Sequence, residues 1–281
     1  MRSHCTEKNL AIVILGCIIC CAGALAVPTT DLLVSEYGAD GTPSMNKSVT
    51  IQWMEANLPV QGDGTTHYYH QGPVFVESKE GQWDRNETTN FKDMGAVKGT
   101  AVRDLCDLVG GMNAGDDVMV KAVDGYHVEI PYENIYYPDP RQGNITVCWF
   151  NGEESSVGER QGIGYPPSYH VGMRLLFLAD TSTNSEGKHV FGNWDMHEVM
   201  PADRIHLFDN LYPSTGGYTV KWVDEIRVYR GGYQGSSDLL PKSYESKVNE
   251  TYPAPPTESP LLLTTLLAGC GALLVFGRGN R

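Results

Sequence analysis

Two short stretches concentrate the side chains best suited to chemistry. "GKHVFGNWDMHE" (187–198) holds His189, Asp195, His197 and Glu198, and "GDGTTHYYHQGP" (62–73) places His67 and His70 three apart. Neutral imidazole with carboxylate suits zinc or copper, so these six residues are the candidate metal ligands. Residues three apart converge on a helix and diverge on a strand, and the Gly, Thr and Pro around His67 and His70 predict a loop. In the second stretch Gly192-Asn193 interrupts any strand that would put His189 and His197 on one face. The competing arrangement is a polar turn, with Phe191 and Trp194 packed inward and the polar groups bonding the turn. Of the seven cysteines, only Cys106 and Cys148 lie outside the terminal segments, as small core residues or as a disulfide pair. Phosphate-loop, dinucleotide, nucleophile-elbow and His-Glu-x-x-His motifs are all absent from the sequence.

The elements around these residues are mostly strands. In "VKGTAVRDLCDLVGGM", Val102, Leu105, Cys106 and Val109 fall on one helical stripe that Gly110-Gly111 ends. "DDVMVKAVDGYHVEIPY" predicts a hairpin turning at Asp124-Gly125 as a type I′ pair, with Lys121, His127 and Glu129 on the face opposite its valines. His127 is expected to be solvated. "NITVCWF" and "GMRLLFLA" are apolar on both faces, as central strands are. "SVTIQWM", "YTVKWV" and "EIRVYR" complete a β-rich set with few helices, an α+β class.

The ends set the compartment. Arg2 and Lys8 precede an apolar run ending at Ala24-Leu25-Ala26, the pattern of a cleaved signal peptide over 1–26. At the other end a Pro/Ser/Thr linker (236–260) leads into the apolar segment 261–277, followed by Arg278 and Arg281. That segment is at the short end of the roughly 17–25 residues that span a bilayer, and the terminal arginines suit the cytoplasmic side. The expected product is a protein tethered to the extracellular face of the cell membrane. Between the ends lie a β-rich extension (27–96) and a main domain (97–235). The chain carries a formal charge of −13, which disfavours nucleic acid as a partner. Asn46, Asn86, Asn144 and Asn249 each open an Asn-x-Ser/Thr triplet, so glycosylation is expected on the exposed part.

The order "GTAVRDLCDLVGG", "DDVMVKAVDGYHVEIPYENI", "GMRLLFLAD", "YTVKWVDEIRVY" resembles the molybdopterin-binding domain of the sulfite oxidase superfamily over residues 97–231. Together with "NLPVQGDGTTHYYHQGPVF" and "HVFGNWDMHE", it looks like a group of molybdopterin-oxidoreductase-like surface proteins of methanogenic archaea. The resemblance implies a mixed β-rich fold and a molybdopterin cofactor whose anionic phosphate sits among basic residues, here Arg141, Arg160, Arg174 and Lys188. Catalytic members also ligate molybdenum with a cysteine shortly before the Gly-led helix. Residues 28–105 contain no cysteine. The reading that follows is a non-catalytic surface protein binding a ligand, a glycan or another envelope protein. The alternative is an exported oxidoreductase that holds a molybdopterin-type cofactor without that cysteine.

Overall fold

The computed structural model describes residues 29–76, 78, 80–181 and 186–235. The signal peptide, the linker, the C-terminal apolar segment and Asn249 lie outside the described residues. Among the described residues, no helix is long and apolar enough to cross a membrane.

Two sheets dominate. The first contains β1 (Asp31–Tyr37), β2 (Pro43–Thr50), β6 (Asp117–Ala122), β7 (His127–Pro131) and β13 (Val223–Tyr229), in the order β2-β1-β13-β6-β7. Its β1–β13 pair is parallel and the other pairs are antiparallel. The second contains β4 (His67–Gln71), β5 (Phe91–Ala101), β8 (Asn144–Asn151), β9 (Arg174–Leu178) and β10 (His189–Phe191), in the order β10-β4-β5-β8-β9, with β3 (Val60–Gln61) paired to β5. A small hairpin, β11 (Leu207–Phe208) and β12 (Tyr212–Pro213), stands apart. Residues 29–96 thus feed strands into both sheets. The helices are short: α1 (Ile51–Asn57), α2 (Val102–Asp107), α3 (Tyr132–Tyr136) and α4 (Asn193–Val199). This is a mixed, β-rich fold.

The main core lies between the sheets. Leu32, Val34, Val118, Val120, Ile226 and Val228 meet Val147, Trp149, Leu175 and Phe177 there, all fully buried. Helix α2 packs against β5, β8 and β13, and its stripe Val102, Leu105, Cys106 and Val109 is buried in the same core. Each fully buried aliphatic of this kind contributes about 1.5–3 kcal/mol. The other face of the second sheet carries a smaller cluster of Met94, Val97, Cys148, Leu176 and Leu178. That second cluster explains why β8 and β9 are apolar on both faces.

Four local expectations change. "SVTIQWM" is divided: Thr50 ends β2, and its side chain accepts from Trp53 N at 3.1 Å, capping α1 and burying Ile51 and Met54. The hairpin forms, but only Gly125 of its turn pair has a positive φ (92°), and Gly125 N donates to Ala122 O. A type I′ turn needs both central residues in that region, so the turn is a wider one closed by a glycine bulge. Val220–Trp222 of "YTVKWV" forms no strand. Trp222 sits at φ 51°, and the stretch runs beside β9, with Leu175 N donating to Val220 O and Trp222 N to Val171 O. Lys121 does take the face opposite the valines, but it is buried and pairs with Glu225 at 3.5 Å. His127 is half-buried, bonded to Gly125 O and 3.2 Å from Glu129.

Candidate functional site

"HYYH" is a strand, β4, and its two histidines point opposite ways. His67 donates from Nδ1 to Asp93 at 2.9 Å, with Nε2 3.4 Å from Glu153. Burial opposes charge on His67, but the bonds and fields of Asp93 and Glu153 outweigh it and raise its pKa. Burial alone would raise the Asp93 carboxyl, yet donors from Ser156, His67 and Gly95 hold it below the ordinary carboxylate value. His70 is fully buried: Nδ1 donates to Thr215 O at 3.0 Å, and Nε2 accepts from Phe177 N at 3.2 Å. Desolvation drops its pKa to about 3, so it is neutral and both ring nitrogens are committed.

The 187–198 segment is β10 followed by α4. Strand β10 runs parallel to β4, and His189 donates to Ala179 O at 2.8 Å. Asp195 is buried and accepts from Gly192 N at 3.0 Å. Phe191 packs into the core as expected. Trp194 does not: it is only partly buried and stacks on the exposed ring of His197, which also lies 4.9 Å from Trp83. Glu198 sits 3.3 Å from both His197 and Arg141. Among the described residues, no group of three or more His, Cys, Asp or Glu is placed to hold a metal ion. The six candidate ligands are therefore distributed between a core strand, a polar network around Asp93 and an aromatic surface on α4.

The two cysteines are free thiols on opposite sides of the second sheet, Cys106 in the main core and Cys148 in the smaller cluster. The disulfide alternative fails on that separation. Burial pushes both thiols well above their ordinary pKa. The sequons at Asn46, Asn86 and Asn144 are all exposed, although Asn144 donates its amide to Gln61 Oε1 at 2.8 Å.

The expected basic quartet does not converge. Arg141 faces Glu198, Arg160 lies on the surface beside Glu154, and Lys188 pairs with Glu186 at 2.7 Å. Arg174 alone is buried, at 4 % exposure, as the first residue of β9, where the register sets it opposite Cys148. Its Nη1 donates to Gln161 Oε1 at 2.9 Å and its Nη2 to Thr219 Oγ1 at 3.0 Å, while Nε has no partner. Among the described residues, no carboxylate pairs with it. Desolvation works against its charge and lowers its pKa.

Arg174 lines a cleft of about 410 Å³. Lys92 and Lys221 add positive charge, and Gly216, Gly217 and Thr219 contribute the 3-10 turn Thr215–Tyr218 and its end. Met94, Tyr126 and Trp222 give it an apolar side, and Asp124 and Glu159 are its acids. The turn is fixed from behind: Thr215 Oγ1 donates to Phe191 O at 2.6 Å and accepts from Gln71 N at 2.8 Å. Tyr126 OH donates to Gly217 O, tying the hairpin tip to the same turn. A buried cation costs several kcal/mol to desolvate and gains most from an anion that reaches it. An anion reaching the free Nε of Arg174 would offset that cost.

A scan against protein-family models and a search of curated proteins each found no match to this chain.

The cleft can be tested against the cofactor that the resemblance implies. Arg174 and Lys221 suit a phosphate. The metal side does not fit: Cys148 is fully buried beside Arg174 on the cleft's face of the sheet, Cys106 lies in the main core, and neither thiol lines the cleft. Sequence reasoning found Arg174, an arginine in the otherwise apolar run "GMRLLFLA", and missed Lys92, Lys221 and Glu159. Nothing local marks them, because the cleft joins β5, the 152–164 loop, the hairpin tip and residues 215–222.

Proposed function

We propose that this chain is an exported, membrane-tethered surface protein whose β-rich domain binds a small anionic ligand and carries out no redox chemistry. The observation that carries this reading is Arg174, a buried guanidinium with an unpartnered Nε and, among the described residues, no acid paired to it, at the wall of a cleft with two lysines. Retaining such a group costs stability unless something negative uses it. The terminal segments and the sequons support an extracellular placement, where the ligand would be a free anion or the anionic group of a glycan or envelope component. The order of motifs shared with the sulfite oxidase superfamily supports the competing reading, an oxidoreductase with a molybdopterin-type cofactor. Among the described residues no cysteine lines the cleft, which weighs against it, because molybdenum chemistry of that kind is built around a soft thiolate. Isothermal titration of the exposed domain with inorganic sulfate tests the reading. Binding by the wild type that drops at least about tenfold in Arg174→Met, a loss of about 1.4 kcal/mol, is the expected result. Equal binding by the two proteins would remove the cleft from consideration.

A further inference from the structure

Glu159 reaches across the mouth of the cleft and pairs with Lys221. The other acid of the cleft, Asp124, is committed to the hairpin turn, where Oδ1 accepts from Tyr126 N at 2.9 Å. Glu159 has no such local duty, and it is the acid whose field falls on Arg174. The chain carrying it is pinned on both sides. Ser156 donates from N and Oγ to Asp93 at 2.8 and 2.6 Å, and Val157 O accepts from Asp93 N at 3.0 Å. On the far side Gln161 N donates to Glu154 at 2.7 Å. Between these anchors Gly158, at φ 105°, turns the tip toward Lys92 and aims residue 159 over the opening.

Resting on the anion-binding reading above, we propose that Glu159 is an internal stand-in for the ligand: its carboxylate occupies Lys221 until an arriving anion displaces it, and so sets which anions enter. Lys221 and Glu159 are about one-third and one-half exposed, 30 % and 54 %. An exposed pair of this kind is worth little, so displacement is cheap, but it is not free. A monocarboxylate offers Lys221 no more than Glu159 already does. A dianion such as sulfate gains on both Lys221 and Arg174 and outcompetes the side chain. The cleft therefore selects dianions over monoanions.

The test is titration of the folded exposed domain with sulfate and with acetate, in Glu159→Gln and in the wild type. Glu133→Gln, on α3 and outside the cleft, controls for the loss of one negative charge. Glu159→Gln should bind sulfate about three- to fivefold more tightly, the scale of one exposed ion pair, and should gain more for acetate, so that the preference for sulfate narrows; an equal gain would overturn the selection. Glu133→Gln should stay within about twofold of wild type, its charge being screened at ordinary salt. No gain in Glu159→Gln, or the same gain in Glu133→Gln, would overturn the gate. If the wild type binds sulfate through Arg174 and Glu159→Gln leaves that unchanged, the gate fails and the anion site stands. If neither protein binds sulfate, the anion site fails and the gate with it.

Discussion

His70 and Arg174 meet the same burial with opposite outcomes. His70 gives up its charge, and both of its nitrogens find backbone partners. Arg174 cannot give up a guanidinium charge and is left with a donor unused. Arg174→Met should therefore cost little in stability, within about 1 kcal/mol by urea unfolding, because it removes an uncompensated buried cation. Gln161 keeps contact with Tyr169, and Thr219 Oγ1 keeps its bond to Gly216 O, so neither is stranded. A loss of several kcal/mol would mean that the guanidinium is a structural strut. The histidines predict opposite pH effects. The folded pKa of His70, about 3, lies below an unfolded value of about 6.5. Its contribution is present above about pH 6.5 and is lost as pH falls toward 3, at up to about 1.4 kcal/mol per unit. His67 is raised, so its contribution is full below about pH 6.5 and is lost as pH rises through its folded pKa. An NMR titration should find His67 still charged just above pH 6.5 and His70 neutral at pH 5. A protonated His70 at pH 5 would contradict its burial between Thr215 and Phe177.

The elements show which parts of the fold can be read locally. The α2 stripe, the hairpin valines and the doubly apolar β8 and β9 all follow from spacing, since burial repeats with the period of the element. "YTVKWV" misleads because its alternation imitates a strand, while the left-handed Trp222 turns the chain alongside β9. "HYYH" misleads in the other direction: glycine and threonine around it suggest a loop, but pairing with β5 and β10 makes it a strand. Long-range pairing overrides local composition in both cases. The cleft itself is legible only through Arg174, because its other walls come from distant segments. Thr215 anchors one of those walls, tying the turn that carries Gly216 to Thr219 back to β4 and β10. Thr215→Val keeps the shape and removes the hydroxyl, leaving Gln71 N without its acceptor. It should cost about 1–3 kcal/mol and weaken sulfate binding with no change in charge. Chemical denaturation and titration check both effects, and a stable variant with full affinity would show that the cleft does not depend on this anchor.

At the scale of the whole molecule, a strongly acidic chain presents a local basic cleft among the described residues, and the proposed reading adds a leader and a membrane tail at its ends. Deleting residues 261–281 should release the protein into the medium, as read by fractionation; retention on the membrane would assign the anchor elsewhere. On the proposed reading the Arg174 cleft serves an anion without a thiolate-held metal. The most direct measurement is molybdenum, tungsten and pterin content of the exposed domain purified from its native host. Well under one metal and one pterin per chain is the expected result. One of each per chain would contradict that reading and favour the oxidoreductase alternative.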